Sequence, residues 1–102
     1  MPAAARSELR DFIATGHLCD AIAPIQGALQ FKVRIDGSLA AVTGDLIAPH
    51  TIKVGKACVP HIAAVIATSS RVFINGLNVA RIGDPADLGI IITGSPRVFI
   101  GS

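Results

Sequence analysis

Residues 33–45 read VRIDGSLAAVTGD, and residues 72–84 read VFINGLNVARIGD. The two stretches share the phrase V-x-I-[DN]-G-x-x-x-A-x-x-G-D and lie 39 positions apart in a chain of 102 residues. A shorter echo follows, because Ser69-Ser70-Arg71-Val72-Phe73-Ile74 returns as Ser95-Pro96-Arg97-Val98-Phe99-Ile100 at an offset of 26. Internal repetition of this kind constrains the architecture before any single element does. In each long copy alternating β-branched residues run into Asp36-Gly37 or Asn75-Gly76. Those dipeptides tolerate positive φ at both central turn positions, so each copy is expected to be a β-hairpin closed by a type I′ turn. Each copy ends in a second turn, Gly44-Asp45 or Gly83-Asp84. The two aspartates are expected to bond nearby backbone N–H groups.

Short apolar runs punctuated by Gly, Pro, Asp and Asn continue along the rest of the chain, at 22–25, 63–66, 89–92 and 98–100. They predict an all-β fold. The segment 7–15 (SELRDFIAT) is the one plausible helix, with Ser7 as cap and Leu9, Phe12 and Ile13 on one side. Two segments, 15–24 and 45–60, resist assignment as strands and are expected to be loops. The length supports a single domain covering residues 1–102.

The chain is 51% hydrophobic with a mean hydropathy of +0.60, which excludes disorder on composition. Its aromatics are Phe12, Phe31, Phe73 and Phe99, without Trp or Tyr, so Ala, Val and Ile must do the packing. The longest uncharged stretch, residues 57–70, holds Pro60 and His61 and is shorter than the roughly 18 residues a membrane helix needs. The N-terminus lacks the basic start and apolar run of a secretory signal, and export is expected to follow another route. Nine Lys and Arg against seven Asp and Glu give a scattered net charge of +2. Lys32, Arg34, Lys53 and Lys56 have only Phe31 near them, which is a poor basis for a nucleic-acid groove; they are expected to be solvated.

The reactive side chains gather between the repeats: His17, Cys19, His50, Cys58 and His61. Zinc favours four nitrogen or sulfur ligands, and a closed site would staple loops that a small core cannot hold alone. Cys58-x-x-His61 has ligand-like spacing. The competing reading is a Cys19–Cys58 disulfide, which would stabilise by roughly 3 to 4 kcal/mol through chain entropy. The metal reading is preferred because it gives three histidines a role. No His-Glu-x-x-His, Gly-x-Ser-x-Gly or phosphate-cradling glycine loop is present, and a catalytic carboxylate pair at Asp45 and Asp84 is disfavoured.

Taken together, several motifs resemble the PAAR-repeat proteins, which cap the spikes of contractile phage tails and type VI secretion systems. They are Pro2-Ala3-Ala4-Ala5-Arg6, Thr15-Gly16-His17-x-Cys19, Gly44-Asp45 with Ala48-Pro49-His50, Val72-Phe73-Ile74-Asn75-Gly76, Ala80-Arg81-Ile82-Gly83-Asp84-Pro85, and Gly94-Ser95-Pro96-x-Val98-Phe99-Ile100-Gly101. The resemblance implies short hairpins around a pseudo-threefold axis, forming a cone with a metal near its tip. It further implies a non-enzymatic, membrane-piercing role, in which one cap sharpens a trimeric β-helical spike that sheath contraction drives into a target envelope. The metal would be zinc, or alternatively iron, held by three histidines at His17, His50 and His61 and by a cysteine. The family's cysteine position holds Leu88 here. Cys58 is the preferred replacement, with Cys19, water or Asp87 as alternatives. The implied location is a virion tail tip or the bacterial cytoplasm before assembly, and the outside or the target envelope after firing. Two further readings are a small zinc-dependent hydrolase, and an adaptor carrying a noncovalent effector on the spike.

Overall fold

The computed structural model describes residues 2–15, 19–67, 71–87 and 89–100. Among the described residues ten short strands occur: β1 (Phe12–Ala14), β2 (Ile22–Pro24), β3 (Arg34–Ile35), β4 (Ser38–Leu39), β5 (His50–Val54), β6 (Ala57–His61), β7 (Phe73–Ile74), β8 (Leu77–Asn78), β9 (Pro85–Ala86) and β10 (Gly89–Ile91). The fold is all-β, and no helix occurs among the described residues. None could therefore cross a membrane as a helix.

The segment read as a helix is a turn followed by a strand. Glu8 and Leu9 adopt φ of 60° and 61°, outside the right-handed helical region. Phe12–Ala14 then pairs with β2 on one edge and with β10 on the other. Nine residues offer a helix few internal bonds, whereas a central strand satisfies its backbone from both sides.

Both repeats form the expected hairpins, β3–β4 and β7–β8, paired as Ile35↔Ser38 and Ile74↔Leu77. All four central turn residues have positive φ: Asp36 52°, Gly37 86°, Asn75 53° and Gly76 78°, as a type I′ turn requires. Ala40 donates to the Val33 carbonyl and Val79 to the Val72 carbonyl. A third pairing repeats this pattern with strands from opposite ends of the chain, since Ala4 donates to Val98, Ile100 donates to Pro2 and Ala3 bridges Phe99.

The three copies interlock through one bonding pattern used three times. Ala41 N donates to Ala5 O, Ala5 N to Ala80 O and Ala80 N to Ala41 O, at 3.0, 2.9 and 2.8 Å. Two residues further on in each copy, Thr43 N donates to Asn78 O, Ile82 N to Ala3 O and Ser7 N to Leu39 O. Ala5, Ala41 and Ala80 are wholly buried. Small side chains at these buried positions let the three backbones approach closely.

The aspartates that end the copies are buried and bonded as expected. Asp45 Oδ2 accepts from Val42 N and Oδ1 from Leu29 N, both at 2.8 Å, and Asp84 Oδ2 accepts from Arg81 N at 3.0 Å. In the third copy Asp11 Oδ2 accepts from Arg6 N at 2.8 Å across a loop two residues longer. Arg6 also forks onto that carboxylate, Nε to Oδ2 at 2.7 Å and Nη2 to Oδ1 at 3.0 Å, and its Nη1 reaches Asp36 at 3.3 Å. The Asp11 hydrogen bond holds the Arg6 pKa above its ordinary value.

Strands β1, β2, β9 and β10 build a sheet in the order β2-β1-β10-β9. With Ala14 opposite Ile90, the β1–β2 connection and the β9–β10 turn emerge at the same end of this sheet. Gly89 makes that approach feasible, because a Cβ placed there would stand 1.6 Å from the Ala14 carbonyl oxygen. The main core is aliphatic, formed by Ile13, Ile25, Ile47, Val65 and Ile91 with buried alanines. Phe31, Phe73 and Phe99 are exposed, so Ala, Val and Ile do the packing, as the composition requires.

Candidate metal centre

The segment expected to be a loop, 45–60, instead contains most of the longest hairpin. Strands β5 and β6 pair over five residues, from His50↔His61 at the base to Val54↔Ala57 at the tip, around Gly55-Lys56 with Gly55 at φ 63°. A glycine at the first turn position followed by a general residue suits a two-residue hairpin loop. Thr51, Ile52 and Val54 are β-branched, so the signal was present in the sequence; Pro60 and the scattered lysines disguised it. Lys53 and Lys56 are exposed, as are Lys32 and Arg34.

Pairing at the base of the hairpin puts His50 and His61 side by side on one face. Their rings lie 5.2 Å apart between centroids at an interplanar angle of 81°. The β9–β10 turn brings Asp87, at φ 48°, between them. Asp87 Oδ1 lies 2.9 Å from His61 Nε2, and Oδ2 contacts His50 Nε2. The side chains of His50 and Asp87 are 4% and 3% exposed, that of His61 30%.

His50 Nδ1 donates to the Ala48 carbonyl oxygen at 2.9 Å. That bond selects the tautomer of a neutral ring, leaving Nε2 with its lone pair toward Asp87. A lone pair facing a carboxylate oxygen repels unless a cation, whether proton or metal ion, lies between them. Ligand atoms of His50, His61 and Asp87 all fall within 4.8 Å of one another, a span that one ion's coordination shell covers. Two imidazoles and a carboxylate suit zinc or iron. The set fits a divalent metal on its donor chemistry as well as its spacing.

Cys58, the preferred fourth ligand in the sequence, has a different partner: it forms a disulfide with Cys19, with Cα atoms 6.0 Å apart. Cys19, the alternative, is consumed by the same bond. Strand geometry explains the correction. Side chains alternate faces along a strand, so residues three apart, such as Cys58 and His61, point to opposite sides. The C-x-x-H spacing that looks ligand-like on a helix or turn separates the two groups here. Disulfide and histidine pair therefore coexist on the two faces of one hairpin, where the sequence had set them in competition. A bridged sulfur offers no thiolate to a metal. His17 and Leu88 lie outside the described residues.

Beside the bridge, Asp20 fastens the hairpin a second time. Its Oδ2 accepts from Thr51 N and Thr51 Oγ1, each at 2.7 Å, and its own N–H donates to Thr51 O at 3.2 Å. The side-chain bond from Thr51 lowers the Asp20 pKa below the usual carboxylate value.

No curated protein matches the chain significantly. The PAAR motif matches residues 15–89, a span that holds both complete repeats, the β5–β6 hairpin and the Asp87 turn. The chain belongs to the PAAR motif family.

Proposed function

We propose that this protein is a non-enzymatic tip that caps and sharpens the trimeric β-helical central spike of a contractile injection machine, a phage tail or a type VI secretion system. Its family is associated with such spike tips. The observation that carries the proposal for this chain is the bonding pattern around Ala5, Ala41 and Ala80, used three times in cyclic order. A trimer's end offers three equivalent edges, and a single chain can meet all three only if it presents three similar units. That pattern supports a pseudo-threefold axis through the interlocked alanines, within one domain spanning residues 1–102. Outward positions on the two hairpins and the third pairing fall to Arg34, Phe73 and Phe99, all exposed, and large exposed apolar groups support a protein partner.

The metal in this reading is zinc, with iron as the alternative, held by His50, His61 and Asp87. The family resemblance adds His17 to the set. A bound ion would fasten the hairpin to the sheet end, so that its binding free energy becomes resistance to local unfolding during penetration of an envelope. Before firing such a tip would reside at a virion tail or in the bacterial cytoplasm, and afterwards outside the cell or in the target envelope.

Native mass spectrometry with the spike trimer, alongside elemental analysis of untagged protein, tests this. The expected result is one cap per trimer and one zinc or iron per chain. A tip that fails to bind the trimer, or binds three to a trimer, would sink the capping proposal.

A further inference from the structure

We propose that the Cys19–Cys58 disulfide is a redox-controlled clasp that sets the affinity of His50, His61 and Asp87 for a divalent metal. The inference rests on the metal reading of that site and adds its regulation.

The ligands come from two bodies. His50 and His61 belong to the β5–β6 hairpin, which forms a sheet of its own. Asp87 belongs to the turn between β9 and β10, at one end of the four-stranded sheet. Cys19 lies in the β1–β2 connection at that same end, and Cys58 lies on the hairpin opposite Lys53. The disulfide therefore ties the histidine-bearing hairpin to the body that presents the carboxylate. Its roots, Ile47 and Ala63, are bonded to each other at 2.8 Å, and Ala48 N donates to Pro24 O of β2 at 2.9 Å, so opening the clasp loosens the strands beyond that anchored root. Beside the bridge, Asp20 and Thr51 then provide a tether of their own, and theirs is solvent-exposed. A site whose two halves are already held together pays less ordering entropy on binding metal, so the oxidised protein binds more tightly.

The sulfurs are open to exchange. Cys58 is exposed and Cys19 half-buried, so a dithiol's thiolate can attack Cys58 Sγ and expel Cys19 as thiolate. The dithiol's second sulfur then displaces Cys58 from the mixed disulfide. Two electrons and two protons pass to the cysteines, which end as thiols, and the dithiol ends as its own disulfide.

Cobalt(II) is a suitable probe, because thiolate coordination to it adds a sulfur-to-metal charge-transfer band. The full chain would be titrated with Co²⁺ oxidised, then reduced and freed of dithiol without air, and as the Cys19→Ser/Cys58→Ser double variant checked for its β-sheet circular dichroism. The expected result is at least tenfold weaker binding in the reduced and double-variant forms, with no charge-transfer band in any form. By reciprocity a tenfold coupling also makes the wild-type bridge about 30 mV harder to reduce when Co²⁺ is bound, a readout that needs no variant. Asp87→Asn should abolish that shift. Equal affinities, with a potential indifferent to Co²⁺, would overturn the coupling while leaving the metal site intact. Tighter binding on reduction, with a charge-transfer band, would overturn it by making the cysteines ligands. Absence of Co²⁺ binding in every form would overturn the metal reading itself, and the clasp with it.

Discussion

Gly89 is the residue on which the sheet end depends most directly. A side-chain carbon there would overlap the Ala14 carbonyl oxygen at 1.6 Å, and backbone can give way only by separating β1 from β10. Gly89→Ala is expected to destabilise the fold by about 3 kcal/mol or more, read from the denaturant midpoint. Two carboxylates set opposite trends with pH. The Thr51 bonds depress the pKa of Asp20, so its contribution is present above the unfolded value of 3.8 and fades as pH falls through the folded one. Burial raises the pKa of Asp45, against bonds from Val42 and Leu29 that lower it. Its folded form takes up a proton first, and stability from this group grows as pH falls through the raised value toward 3.8. Asp20→Asn should therefore flatten the acid limb of a stability profile below about pH 4, while the slope Asp45 contributes above that persists. At this scale the sequence was legible where a residue's role is local, as for Asp45 and Asp84. It was not legible at Cys58, because the face a side chain takes depends on knowing that its segment is a strand.

At the scale of elements, the two Asp-Gly and Asn-Gly hairpins were readable because their turn chemistry sits beside alternating β-branched residues. Hairpin β5–β6 was not, since Gly55, Pro60 and two lysines imitate loop composition. Nor could the segment 7–15 be told from a helix: its apolar spacing fits one, and only the partners on both edges of β1 decide otherwise. The Asp20 tether is exposed and weaker than the disulfide beside it. Thr51→Val removes one of the bonds to Asp20 Oδ2 and leaves the backbone bonds, so amide hydrogen exchange at Ile52 and Val59 should quicken several-fold in the reduced protein and change little in the oxidised one.

For the whole molecule, the third pairing explains why a repeat architecture looked incomplete in the sequence. Its strands are the first and last described segments of the chain, so no local window contains both. The threefold bonding pattern emerges only when residues 2–6 are set beside 98–100. If the exposed Phe73 and Phe99 meet the spike, Phe73→Asp/Phe99→Asp should weaken the complex with the trimer by tenfold or more while preserving the circular dichroism spectrum. Loss of secondary structure in that variant would instead assign those side chains to the fold. The same closure places residues 4–6 in the interior. Trimming a few terminal residues is harmless in most domains, yet here removal of residues 1–5 takes out one of the three alanines and every bond it makes to the other two. Such a truncation should behave as a core deletion, read as loss of the cooperative unfolding transition rather than a small shift in its midpoint.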